Sequence, residues 1–421
     1  MTALTILAAT AAAAAQAATQ TGSPPAQTAA QPAPADSQRK PGETNYLDIE
    51  GGLGYSSNPL LEFGSDTGAG FGRISLHAVH ARVSERSTTL LSAYAQNVTY
   101  FSRHGSDQSL SLSGRHDTAV SAHVRLFVDA SGSYDKGGQL DTRIIGLPDV
   151  PPPPGTSGQP PILLPAPSDF LAITGRTYTV AAHGGATVAL SPRDDLSFSA
   201  GAEHVAFRGF QDSDYTTIPA TLAYDRQLSP RTTVGARVIF QSTNYKGPAN
   251  FRLVTPQLTA RLVLSERVTF DGAIGASFAT VDDGIRTTHT TGLAAEGDLC
   301  LRGEHSHLCA RASTSEQTAT VAGPARTVSG GIDYSRTLSP DSSIAFSAGI
   351  DHFSSPISVL SGQTFSTSTY YRAAADYSRR IGHRWFGGIN LAARKLAEHG
   401  PDPNGDVSAS LFIRYRFGDL G

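Results

Sequence analysis

The sequence has no long hydrophobic run, and this absence limits how the chain could meet a membrane. Of its 421 residues 39% are hydrophobic, and no internal window approaches 18 consecutive apolar residues. A helical membrane protein is therefore excluded, because a spanning helix needs about 20 mostly apolar residues in succession. A membrane β-barrel is not excluded, because only alternate residues of its strands face lipid.

An excess of one charge and the common catalytic motifs are also missing. The net charge is −3, lysine is scarce, and no basic block or aromatic stacking platform is present, so no nucleic-acid partner is expected. No nucleophile elbow or paired-carboxylate motif occurs, and the 13 histidines lack metal-ligand spacing. Gly68-x-Gly70-x-Gly72 is not followed by a helix, as a phosphate loop would be. The sequence therefore predicts no enzyme, no cofactor and no metal site.

Alternation with a period of two is present instead, and it is clearest in the run Asp406–Phe417, DVSASLFIRYRF. One face is apolar and aromatic, while the other carries serine and arginine. Twelve alternating residues can cross a bilayer at a tilt of about 45°. The aromatic-x-aromatic end resembles the assembly signal of bacterial outer-membrane barrels, although Gly418–Gly421 follow it. An edge strand of a soluble sandwich is the alternative.

The same unit of two alternating runs and a tight polar turn repeats from Asn45 onward. In several of these turns serine stands at the first position of the turn itself and proline at the second, which is typical of type I turns. The eight tight turns are Ser84–Ser87, Thr118–Ser121, Leu190–Arg193, Leu228–Arg231, Leu264–Arg267, Gly303–Ser306, Leu338–Asp341 and Ile381–Arg384. The nine looser connections are 56–68, 103–107, 135–173, 208–214, 246–251, 281–287, 319–325, 355–363 and 397–405.

These connections predict an all-β fold, a transmembrane antiparallel up-and-down β-barrel of 18 strands. Both termini lie on the tight-turn side, so the turns are expected to be periplasmic and the longer loops extracellular. A β-propeller or β-solenoid is the alternative, but either would need a shorter repeat with its own signature.

Three regions are expected along the chain. Residues 1–17 are apolar, end in Ala15-Gln16-Ala17 and are typical of a signal peptide, with a disordered alanine-rich tail as the alternative. Residues 18–44 are rich in proline, alanine and glutamine and predict a disordered linker. Residues 45–421 form the barrel.

The parity of the strands places many charged residues inside the barrel. One interpretation is a hydrated channel for polar solutes, in which arginine favours anionic groups. The other is that the charges pair across neighbouring strands and hold the wall together. The residues predicted to face the lumen include Arg73, Arg115, Arg125, Arg237, Arg261, Arg311, Arg372, Arg394, Arg414, Arg416, Asp225, Asp271, Glu296 and Asp298.

The two cysteines lie at equal distances from the turn centred on Glu304 and His305. Cys300 and Cys309 would therefore be direct cross-strand partners that point into the lumen. An oxidising periplasm favours a disulfide between them, provided that the pair is a non-hydrogen-bonded one. A metal site with His305 and His307 is the weaker alternative.

The connection 135–173 differs from the others because it is long and rich in proline. Loops of this length are usually functional or disordered. Polyproline stiffness suits an arm folded over or into the mouth of the barrel. Gating of the channel and a solvent-exposed arm both remain open.

The first hairpin, GGLGYSSNPLLEFGSDTGAGFGRISL, resembles the putative β-barrel porin type 2 proteins, which are outer-membrane barrels encoded in exopolysaccharide loci. Tyr55, Asn58 and Pro59 occupy the places of the tyrosine and the Asn-Pro turn of that family. The resemblance implies a role in moving or anchoring exported polysaccharide, and it supplies no catalytic residues.

The expected function is therefore export of polysaccharide across the outer membrane. The alternatives are an uptake porin for sugars or small anions, and an outer-membrane enzyme at the rim or a structural anchor. The expected partners are outer-membrane lipid, the polysaccharide, the barrel-assembly machinery and periplasmic polysaccharide-export proteins.

Overall fold

The computed structural model describes residues 42–59, 61, 68–102, 104–136, 176–208, 214–246, 250–282, 284–319, 323–354, 367–398 and 405–419. The expected signal peptide and the linker as far as residue 41 lie outside these residues. None of the described residues forms a helix that could span a membrane.

Eighteen strands make up the described part of the chain. The first six are β1 Gly42–Ser56, β2 Ala69–Val83, β3 Ser87–Tyr100, β4 Ser106–Ala119, β5 Val124–Lys136 and β6 Arg176–Ser191. The next six are β7 Asp194–Arg208, β8 Tyr215–Ser229, β9 Thr232–Tyr245, β10 Asn250–Val263, β11 Val268–Asp282 and β12 Thr287–Arg302. The last six are β13 Ser306–Ala319, β14 Gly323–Ser339, β15 Ser342–Ser354, β16 Ser368–Arg380, β17 Trp385–Glu398 and β18 Asp406–Gly418.

Every strand pairs antiparallel with its neighbours in sequence, and β1 pairs with β18 to close the sheet. The closing ladder runs from Tyr46 opposite Gly418 to Ser56 opposite Ser408. The prediction of an antiparallel up-and-down barrel with 18 strands is confirmed. Closure leaves no edge strand whose backbone groups would be unpaired in lipid.

The start of the barrel differs from the prediction by three residues. Gly42–Thr44 was assigned to the linker, but these residues belong to β1 and pair with Ala81–Val83 of β2. The prediction failed there because Gly-Glu-Thr has no apolar alternation. The ladder continues to the turn because β2 offers backbone partners along its whole length.

The two faces of the wall have opposite character. Side chains on the outward face are apolar and unusually exposed, such as Leu53 at 65%, Leu258 at 68% and Leu411 at 63%. On the inward face of β18, by contrast, Phe412 and Arg416 are 7% and 2% exposed. An apolar band of this extent would promote aggregation in water but suits the hydrocarbon of a bilayer.

β3 is the strand that the sequence could not orient. Its Tyr94 pairs with His77 of β2 and Ser111 of β4, both on the inward face. Its Leu91 points outward and is 46% exposed. The ambiguity arises because β3 also has the apolar residues Leu90 and Val98 on its inward face. Alternation alone therefore does not show which face points outward.

The recurring Leu-Ser-Pro turns share one hydrogen bond and one irregularity. The Ser229 hydroxyl accepts from the backbone N–H of Arg231 at 3.2 Å, and Ser191 and Ser339 make the equivalent bond at 3.1 and 3.3 Å. The strand register shifts beside each of these serines. The leucine at each shift is displaced outward and is 51–57% exposed: Leu190, Leu228 and Leu338.

The connections on the other side are less uniform than expected. Three are long, at 57–68, 137–175 and 355–367, but 246–249, 283–286 and 320–322 are as short as the tight turns. The structure also extends β5 to Lys136, so the predicted loop 135–173 begins two residues too early. Its proline-rich part, and both interpretations of it, lie outside the described residues.

Candidate channel interior

All the charged residues predicted to face the lumen lie on the inward face in the structure. The cross-strand register carries this face around the barrel, for example from Asp48 to Arg416 and from Asp298 to Arg311. The set is Arg73, Arg115, Arg125, Arg237, Arg261, Arg311, Arg372, Arg394, Arg414, Arg416, Asp225, Asp271, Glu296 and Asp298.

Most of these arginines are held by carboxylates of the wall. Nine of the ten have a carboxylate oxygen within 4 Å, as in the pairs Arg73–Glu50 at 2.8 Å and Arg372–Asp351 at 3.2 Å. Arg125 has no ion pair with any described residue. The geometry therefore favours the wall-bracing interpretation for the paired arginines.

One buried ion pair ties the first strand to the last near the turn side. Arg416 of β18 donates two hydrogen bonds of 2.7 Å to the carboxylate of Asp48 in β1. Its guanidinium also lies 4.2 Å from the ring centroid of Tyr46. Asp48 is 4% and Arg416 2% exposed, so water screens this pair little. We call Asp48, Arg416 and Tyr46 the lower seam.

A second buried cluster ties the same strands at the loop side. The Asp406 carboxylate in β18 accepts from Arg394 Nε at 3.0 Å, Ser56 Oγ at 2.7 Å and the backbone N–H of Asn58 at 2.9 Å. Arg394 also donates to the carbonyl oxygen of Pro59. The Asn-Pro turn of the first connection is therefore anchored in the wall. We call these five residues the upper seam.

Five carboxylates form an acidic wall on the inward face of β7–β12. Glu296 pairs with Arg237, Asp271 with Arg261, and Asp298 lies 3.2 Å from Arg311. The other two, Asp195 and Asp225, oppose each other directly across β7 and β8. Neither has an arginine within 4 Å in the described part of the chain. Like charges that face each other are destabilising, and Asp195 and Asp225 therefore leave a local excess of negative charge on this wall.

A second stretch of the interior carries hydroxyl groups between the charged residues of β4 and β5. The sequence runs SLSLS and SGS place serines on alternate inward positions of β4 and β5, and threonines of β6 continue the surface. The members of this hydroxyl wall are Ser109, Ser111, Ser113, Ser131, Ser133 and Thr179. The sequence signal for this wall is serine alternating with leucine, and it lies outside the charged pattern from which the lumen-facing residues were predicted.

An apolar collar, which was not predicted from the sequence, covers part of the inward face near the loop side. Phe251 is fully buried and packs with Leu253, Ala279 and Val281. Val205, Phe207 and Tyr215 form a neighbouring cluster, and Tyr245 packs against both. These residues alternate with outward polar residues, as in Asn250-Phe251-Arg252-Leu253, which is the reverse of the lipid-facing pattern.

The two cysteines are joined by a disulfide in the hairpin β12–β13. Cys300 and Cys309 oppose each other with their Cα atoms 4.1 Å apart. The His307 Nε2 atom lies 3.4 Å from the Cys309 sulfur, so three possible metal ligands are close together. A thiolate is the form of cysteine that binds a metal. With both sulfurs in the disulfide, this cluster does not fit a metal site.

Removal of the disulfide should weaken the barrel without unfolding it. We expect Cys300→Ser combined with Cys309→Ser to lower the free energy of unfolding by about 2–3 kcal/mol, the loss of chain constraint for a short loop. Urea titration of the heat-modifiable gel mobility measures this value. His307→Ala is the control and should be nearly neutral, while failure of the serine variant to fold would contradict the expectation.

Neither a protein-family model nor a curated protein matches this chain. Among solved structures, Pseudomonas aeruginosa OccK2 (OpdF) is 8% identical with a TM-score of 0.45, covering 90% of this chain and 98% of that one. P. aeruginosa OpdL is 11% identical with a TM-score of 0.43, covering 89% and 99%.

The FrpB iron transporter from Neisseria meningitidis is 9% identical with a TM-score of 0.45, covering 88% of this chain and 81% of that one. At these TM-scores the similarity gives no basis for inferring what this chain does. Its assignment as a closed antiparallel barrel follows from its own strand pairing.

Proposed function

We propose that this protein is an outer-membrane channel. The observation that carries the proposal is the two-faced wall, with exposed leucine and isoleucine outside and charges and hydroxyl groups inside. An 18-stranded wall is wide enough to enclose more than its own side chains. The large apolar outer face suits a bilayer, and the polar inner face suits hydrated solutes.

We further propose that the solute is an exported polysaccharide. The hydroxyl wall can exchange hydrogen bonds with glycan hydroxyl groups without the strong attachment that charges would give. The resemblance of the first hairpin to barrels of exopolysaccharide loci supports the same solute. The structure adds a role for that motif, since Asn58 and Pro59 are anchored by the upper seam.

Deletion of the gene tests export directly. Polymer should fall in the medium and accumulate in the periplasm, and the intact gene should restore secretion. Unchanged secretion would refute export and leave uptake of small solutes as the function of the channel. Planar-bilayer conductance with small sugars would then separate an uptake porin from a closed structural anchor.

The acidic wall should make the channel prefer cations. We expect Asp195→Asn combined with Asp225→Asn to reduce the cation-to-anion permeability ratio several-fold, because these carboxylates have no arginine partner. The reversal potential in a potassium chloride gradient measures the ratio. Asp419→Asn, outside the strands, is the control. Anion preference in the unaltered barrel would contradict this account.

An enzyme is not part of the proposal. A rim enzyme would need a serine and a histidine within hydrogen-bond reach at one end of the barrel. His77 Nε2 lies 3.3 Å from Ser92 Oγ, but both residues lie well inside β2 and β3 and not at a rim. Loss of a hydrolytic activity from outer-membrane extracts after deletion of the gene would favour an enzyme instead.

A further inference from the structure

One row of long polar side chains crosses the outward face of β3–β7 at the loop side. The register aligns Asn97 with Gln108, Gln108 with Lys136, Lys136 with Arg176, and Arg176 with Arg208. Lys136 ends β5, Arg176 begins β6 and Arg208 ends β7. We call these five residues the polar row.

Three cations stand side by side in this row, which is unfavourable for the barrel alone. Directly opposed like charges on adjacent strands repel each other. Arg208 forms an ion pair with Asp214, whose carboxylate oxygens lie 3.3 Å from Arg208 Nη1. The side chains of Lys136 and Arg176 make no hydrogen bond or ion pair with another described residue. An anion on the outside of the barrel would relieve this repulsion.

The surface below the polar row is apolar and aromatic. Moving one step toward the middle of the barrel, the register aligns Leu110 with Tyr134 and Tyr134 with Tyr178. The two tyrosine rings lie 5.0 Å apart, and Tyr178 is 41% exposed. Tyrosine rings of this kind lie at the boundary between lipid headgroups and acyl chains. The polar row therefore lies at headgroup depth.

We propose that the polar row binds a phosphorylated, multiply acylated glycolipid of the outer leaflet, of the lipid A type. Five adjacent strands span about 19 Å, which exceeds the headgroup of one ordinary phospholipid. A headgroup with two phosphates and sugar hydroxyls matches three cations flanked by two amides. The acyl chains would lie on Leu110, Tyr134 and Tyr178.

This inference rests on the proposed function only for the membrane and for the orientation that places the loops outside. Lipid binding is measured on the full-length barrel in detergent and needs no conductance. A folded barrel without conductance would thus refute the channel and leave the lipid site untouched.

The test compares the unaltered barrel with Lys136→Gln combined with Arg176→Gln. Bisphosphorylated lipid A is the probe, and dephosphorylated lipid A and inorganic phosphate are the other ligands. We expect the double variant to bind bisphosphorylated lipid A at least about tenfold more weakly, because two charge-assisted hydrogen-bonding groups are lost. Dephosphorylated lipid A and phosphate alone should bind the unaltered barrel much more weakly.

Two controls separate a lipid site from a structural effect. Arg252→Gln removes an outward arginine of β10 outside the row and should leave lipid A affinity within twofold, and Arg176→Lys should retain binding. Without lipid, the melting temperature of the double variant should equal or exceed that of the unaltered barrel. With lipid A, it should be lower than that of the unaltered barrel. Unchanged affinity, equal loss in Arg252→Gln, or equal binding of dephosphorylated lipid A would overturn the proposal.

Discussion

Replacing Asp48 with asparagine should lower the free energy of unfolding of the barrel by about 3–5 kcal/mol, the loss seen when one partner of a buried ion pair is removed. The substitution leaves the Arg416 guanidinium buried, with its two hydrogen bonds of 2.7 Å to the carboxylate lost or weakened. The strands that it joins are the first and last of the chain. Closure should therefore fail at lower urea concentration, which heat-modifiable gel mobility reports.

The exposed pair Arg380–Asp341 provides the matched control. Its atoms are 3.8 Å apart and its side chains are 38% and 58% exposed, so Asp341→Asn should cost less than about 1 kcal/mol. Asp48→Leu combined with Arg416→Met should recover much of the loss, because the uncompensated charge is removed as well. Equal effects of Asp48→Asn and Asp341→Asn would show that the lower seam does not hold the barrel closed.

Replacing Phe251 with alanine should also cost about 3–5 kcal/mol, the range for truncating a buried phenylalanine. The ring is fully buried among Leu253, Ala279 and Val281, so its removal leaves a cavity in the apolar collar. Because the ring has no exposed surface, the cavity should be closed to the channel and single-channel conductance should not change. Urea titration measures the loss of stability, and planar-bilayer recording measures the conductance.

Phe240 in β9 is the control for Phe251. It lies on the outward face and is 40% exposed, so Phe240→Ala loses contact with lipid and not with the collar. We expect a smaller loss of stability than for Phe251→Ala. Equal losses in the two variants would show that burial in the collar does not stabilise the barrel.

The architecture could be predicted because its physical causes are local. Alternation fixes the face of each residue, and the serine–proline turns fix where strands end, so all the strands were found from these two signals. The orientation of β3 could not be predicted, because apolar residues such as Leu90 and Leu91 occupy both of its faces. The first three residues of β1, Gly42–Thr44, could not be predicted either. Backbone pairing with β2 extends the strand there, and no side-chain pattern indicates it.

The roles of the inward residues could not be predicted in the same way, because they depend on partners far apart in sequence. Arg414 and Arg416 were interpreted as groups that could line a channel, but Arg416 is 2% exposed and pairs with Asp48 from the other end of the chain. Charge reversal at these positions would test closure of the barrel and not passage of solute. Asp406 was not singled out, because its partners Ser56, Arg394 and Asn58 lie in β1, in β17 and in the connection after β1.

Planar-bilayer recording of the purified, refolded barrel tests the central claim most directly. A polar channel with an acidic wall should give stepwise single-channel conductance and a reversal potential that indicates preference for cations. A barrel that is folded by heat-modifiable mobility and inserted into the bilayer, yet passes no current, would contradict a polar channel through this wall.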